Sequence, residues 1–125
     1  MPYRVKGLRS WNINAEAFEA TVRFYQDVLG AEEAVRHQVA GASVARLKLG
    51  STGLGVFDAK DGPRPGVPHH TFDFEGPREP EAMVQELEAK GIKVESVRRH
   101  GDGPGYSVYV YDPCGNRIEL STDPA

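Results

Sequence analysis

The sequence predicts an α+β fold: two βαβββ modules that form a curved mixed sheet around a concave cavity. Three observations predict it. The apolar period switches from strand-like to helix-like and back, and does so twice. The order strand, helix, three strands occurs in each half, a repeat of about 60 residues in element order though not in residue identity. A Pro/Gly-rich stretch separates the halves, giving one domain of two modules, about 5–58 and 68–122. A half this small leaves the face of its sheet away from the helix bare. Two halves sharing one sheet would put helices on one side and a cavity on the other.

The first strand is expected over Val5–Ile13, where Trp11 and Ile13 alternate with Ser10, Asn12 and Asn14. Phe18, Val22, Tyr25 and Leu29 then fall at helical spacing, so a helix is expected over about 15–29. Asn14 is the expected N-cap and Gly30 the stop. Strands follow at Glu33–Val39, Ser43–Leu49 and Leu54–Phe57, with turns at Gly41 and Ser51–Gly53. Three prolines and two glycines between Ala59 and Pro68 mark the crossing loop. His69–Phe74 opens the second half. A helix over Pro80–Lys90 buries Met83, Val84 and Leu87 and ends at Gly91. The last strands are Lys93–Arg99, Tyr106–Asp112 and Asn116–Ser121.

Composition excludes several classes. The chain has 125 residues, 39% apolar and 26% charged, with net charge -3. That balance gives no reason to expect a nucleic-acid partner, whose binders carry basic patches. No apolar run approaches the length of a membrane span, and MPYRVKG lacks the apolar core of a signal peptide. Cys114 is the lone cysteine, so no internal disulfide forms, which fits a reducing cytoplasm. It has no neighbouring His to activate it as a nucleophile.

The stretch Tyr111–Leu120 carries the most chemistry. Asp112-Pro113 opens a turn and Gly115 supplies positive φ. Ile118 and Leu120 then face a core while Glu119 faces away. Glu119 reads either as a solvated strand residue or as a ligand or general base.

This pattern resembles the vicinal oxygen chelate superfamily of glyoxalases, extradiol dioxygenases, and fosfomycin- and bleomycin-resistance proteins. The motifs are FYQDVLG (Phe24–Gly30), HHTFDF (His69–Phe74) and YDPCGNRIEL (Tyr111–Leu120), and the likeness covers about residues 5–121. It implies a homodimer that binds a small oxygen-rich molecule. It also implies a divalent metal (Mn, Ni, Zn or Fe) held by His69 and Glu119, serving lyase, isomerase or dioxygenase chemistry. The matching first-half positions are Ser10 and Gly55, which leaves the ligand set incomplete; Cys114 stands where the family's turn has Asp.

His69 and Glu119 are therefore expected to share one cavity, with His70 turned toward the helix. Asn12 and Asp73 lie one alternation away from the expected ligands. Arg46, Lys48, Phe57, Tyr109 and Arg117 are expected along the wall, with the basic pair suited to an anion and Tyr109 to stacking or proton donation. His37 and His100, at strand ends, are expected to be exposed. Three readings stay open: a metal-dependent enzyme, a metal-free binder of a small molecule or antibiotic, and a protein acting through its surface.

Overall fold

The structure is a computed structural model and describes residues 2–124. The fold is α+β, with eight strands in mixed pairing and two helices. In chain order these are β1 (Arg4–Ala15), α1 (Phe18–Asp27), β2 (Glu32–Val39), β3 (Ala42–Leu49), β4 (Thr52–Asp58), β5 (His69–Glu75), α2 (Pro80–Ala89), β6 (Val94–Arg99), β7 (Tyr106–Tyr111) and β8 (Arg117–Thr122). Two compact units emerge. One is Arg9–His69; the other takes the chain up to Leu8 and from His70 onward.

In the Arg9–His69 unit the strands run in the order β2-β3-β4-β1. β2–β3 and β3–β4 are antiparallel, while β1 lies parallel to β4 with Asn12 opposite Gly55. Val22 of α1 packs on Ala45, Leu47, Leu54 and Val56, with Trp11 and Ile13 at the margin. Asn12, between those two, faces the other way, as the strand period requires. In the second unit the order is β5-β8-β7-β6. Met83 and Leu87 of α2 pack on Phe74, Tyr106, Val108 and Leu120. Tyr106 donates its hydroxyl hydrogen to the Pro77 carbonyl, and burial pushes that phenol up to about 12.

The first helix is shorter than its apolar period suggested. β1 continues to Ala15 because its pairing with β4 runs on to Ala15↔Asp58. Asn14 therefore caps nothing. Its amide donates to the Val67 carbonyl (3.0 Å) and accepts from the Arg64 N–H (2.9 Å), pinning the crossing loop. Ala17 takes the N-cap place without a side-chain bond. Gly30 and Gly91 end the helices at φ 74° and 80°, as expected of C-terminal glycines.

Met83→Ala should cost about 2–5 kcal/mol, since it empties a fully buried site under α2. Urea unfolding measures that loss.

Candidate functional site

In the Arg9–His69 unit a line of hydrogen bonds runs across the face opposite α1. Arg46 on β3 donates from Nη1 to Asn12 Oδ1 (3.0 Å) and from Nε to His37 Nε2 (3.0 Å). A guanidinium can only donate, so the Asn12 oxygen is fixed as the acceptor and its Nδ2 points at His69 Nε2, 3.0 Å away. His69 Nε2 therefore accepts, and Nδ1–H donates to the Gly66 carbonyl at 3.1 Å. The Arg46 guanidinium also lies 5.4 Å from the Phe57 ring centre. Asn12 is 2% exposed, so this order is held away from solvent competition.

Gly55 makes room for the line. A Cβ there would lie 2.2 Å from Asn12 Oδ1 and 2.7 Å from Arg46 Nη1. Ser10 is half-buried on β1 opposite Gly53. Lys48 is exposed.

In the second unit Glu119 on β8 is the centre. It is 7% exposed, so the solvated reading is wrong. Oε1 accepts from Thr71 (3.2 Å), and Oε2 from Ser107 (2.8 Å) and Arg98 (3.2 Å). Arg98 also donates to the Tyr109 hydroxyl at 3.2 Å. Burial pushes the Tyr109 phenol up, against the pull of that guanidinium. The Arg117 guanidinium covers the Tyr109 ring at 4.2 Å and binds Glu95 through both its oxygens (3.0 and 2.9 Å).

The structure thus gathers Asn12, Arg46, Gly55, Phe57 and His69 in one unit, and Glu119 with Tyr109 in the other. Asp73 is half-buried on β5, and His70 is exposed. His37 is exposed as expected, but His100 is not. Its ring is 18% exposed and lies 2.7 Å from both Ser107 Oγ and Asp123 Oδ1. Thr71, Arg98, Ser107 and His100 are the residues that sequence reasoning missed. The available signal was the strand period: Ser107 must share a face with Tyr109, and Ser121 with Glu119.

The residues do not fit a divalent ion. Among the described residues no three His, Cys, Asp or Glu side chains cluster. Where a first-half carboxylate would stand, Gly55 leaves its space to an amide and a guanidinium, and the latter is a cation. A groove of about 640 Å³ in the second unit is lined by Ile92, Val94, Glu95, Tyr111 and Pro113, none of them among the expected ligands.

Two outcomes follow from this geometry. Gly55→Ala should cost on the order of 1–3 kcal/mol in urea unfolding, because Asn12 and Arg46 must both move. Arg117 lowers the Glu95 carboxyl from 4.5 to about 2. A depressed carboxyl stabilises the fold fully above about pH 4.5 and loses that contribution as pH falls toward 2. Glu95→Gln should therefore lower stability by roughly 1–2 kcal/mol at pH 6, solvent screening included, with the gap closing by pH 2.

Comparison with known proteins places these units. A family model described as Glyoxalase/Bleomycin resistance protein/Dioxygenase superfamily matches residues 7–120. Methylmalonyl-CoA epimerase from Mycobacterium tuberculosis superposes with TM-score 0.70 at 18% identity, over 97% of this chain and 90% of that one. A variant of Streptomyces coelicolor methylmalonyl-CoA epimerase, in complex with 2-nitronate-propionyl-CoA, gives 0.70 at 20% identity, over 98% and 100%. A glyoxalase/bleomycin resistance protein/dioxygenase superfamily member from Vibrio splendidus gives 0.67 at 16%, over 93% and 99%. At these identities the structural likeness is one of fold.

Proposed function

The chain belongs to the glyoxalase/bleomycin resistance protein/dioxygenase superfamily, and on that premise we propose that it binds a small, oxygen-rich anion without a resident divalent ion. The observation that carries this reading is the Arg46 guanidinium in the space above Gly55. A family ligand position has become a cationic one. It attracts a carboxylate or enolate oxygen directly, where a metal site would do so through its ion.

The face around Arg46 suits that ligand. The guanidinium is a planar fork of five N–H donors, a shape matched to carboxylate oxygens. Asn12 and the Phe57 ring hold it flat. The His37 contact is at the exposed end and is the one that a ligand oxygen would replace. The Mn, Ni, Zn or Fe chemistry of metal-using relatives forms no part of this reading. The epimerases that share the fold have been seen with acyl-CoA ligands, so a carboxylated acyl thioester is the first ligand class to try.

Calorimetry on EDTA-treated protein tests the proposal, with malonate and methylmalonyl-CoA as probes. Saturable binding is expected with chelator present, unchanged by added Mn²⁺ or Zn²⁺. Arg46→Ala should weaken it roughly tenfold or more, the value of a charge-assisted hydrogen bond. Binding that appears only after metal is added would overturn the reading.

A further inference from the structure

The polar face of the Arg9–His69 unit carries a second cation that the hydrogen-bonded line leaves out. On β3, Ala45 and Leu47 pack into the core under α1, so Arg46 and Lys48 both look away from it. Strand pairing lays this face out in rows. One row is Asn12–Gly55–Arg46 and the next is Ser10–Gly53–Lys48, from β1, β4 and β3 in turn.

β4 puts no side chain into either row. A Cβ at Gly53 would lie 3.2 Å from the Ser10 Cβ, so Ser10 borders Gly53 as Asn12 borders Gly55. The rows differ in how they are closed. Asn12 meets the Arg46 guanidinium across Gly55 with a hydrogen bond of 3.0 Å. Serine is the shorter side chain, and its hydroxyl makes no such bond to Lys48. Among the described residues, neither the Ser10 hydroxyl nor the Lys48 ammonium has a side-chain partner. Glu32 stands opposite Lys48 across the β2–β3 pairing, but it is exposed and forms no ion pair with it.

Two cations therefore share one strand face. Residues two apart on a strand are separated by about 6.8 Å along it. That is inside the screening length of roughly 8 Å at physiological salt, so the two charges feel each other. A single anionic group at Arg46 relieves one of them. A ligand with two separated anionic groups relieves both.

We propose, resting on the Arg46 reading, that Lys48 is the specificity-determining residue of this site and selects dianions. One carboxylate sits at Arg46 and a second, about 7 Å further along β3, at Lys48 and the Ser10 hydroxyl. The spacing suits a dicarboxylate of the length of glutarate or adipate better than one as short as malonate. An ammonium is a point charge with little directional preference. The hydroxyl beside it can donate to the same carboxylate and give the contact a direction.

Calorimetry on EDTA-treated protein tests this with pairs of ligands of equal length that differ by one charge. Glutarate should bind about tenfold more tightly than its monoamide, the value of one charge-assisted contact. Lys48→Met keeps an apolar stem and removes the ammonium, at an exposed position that leaves the core untouched. It should bring glutarate and its monoamide to equal affinity. Malonate against its own monoamide should show a smaller gap in the unmodified protein. Equal binding of glutarate and its monoamide by the unmodified protein, a preference that survives in Lys48→Met, or a gap as large for malonate would each overturn the dianion site. In those cases, binding that Arg46→Ala weakens would still uphold the Arg46 reading. Binding of neither ligand, or binding only after metal is added, would overturn both.

Discussion

A carboxylate on an inner strand, turned from the apolar core yet hidden from water, has to be met by donors. Burying one unmatched costs several kcal/mol even after relaxation. Glu119 is in that position, and the polar face of its unit is arranged to meet it. Thr71 comes from β5, Ser107 from β7 and Arg98 from β6, so three strands must keep their register for one side chain. Two of these donors are held in turn: Ser107 by His100, and Arg98 by Tyr109. The strand pairing that places Tyr109 opposite Glu119 is thus also an electrostatic requirement.

The Arg9–His69 unit solves the same problem with different atoms. It too has an arginine reaching over the polar face, and it too needs an acceptor there. Gly55 on β4 supplies none, so the neighbouring strand β1 does, through the Asn12 amide oxygen. The amide is a neutral partner, where the arginine of the other unit meets a carboxylate. One half ends as a carboxylate ringed by donors and the other as a cation backed by an amide. That difference lies behind the anion-binding proposal.

Element order was legible because local signals agreed with the global fold, as foldable sequences require. Period, glycine stops and the proline-rich crossing loop all pointed the same way. The misreadings have definite causes. Asn14 looked like a helix cap because capping residues and loop anchors are chemically alike. Only the β1–β4 pairing shows which role it takes. Glu119 stayed open between a solvated and a site role, because strand alternation tells which face a side chain takes but not whether that face is covered. His100 looked exposed because it ends a strand; Asp123 and Ser107, which cover it, are 23 and 7 residues away. The space at Gly55 and its occupants were not legible, since they depend on rotamers of two other strands. The resemblance supplied His69 and Glu119 as a pair, and nothing local in the sequence pointed to Thr71 or Arg98.

The crowding at Gly55 also bears on how such a protein could change by mutation. A side chain added there meets Asn12 and Arg46 before it can reach a ligand. A carboxylate cannot be introduced at position 55 of β4 by one substitution without displacing an amide and a guanidinium that are bonded to each other. Removing either of those first leaves the other with a buried partner missing, and a first step of that kind is unfavourable by itself. The three positions are therefore epistatic, each acceptable only in the company of the other two. A change that puts a carboxylate on β4 would have to cross that valley, whereas variation at exposed Lys48 would not. The absence of one side chain has made the neighbouring ones hard to exchange.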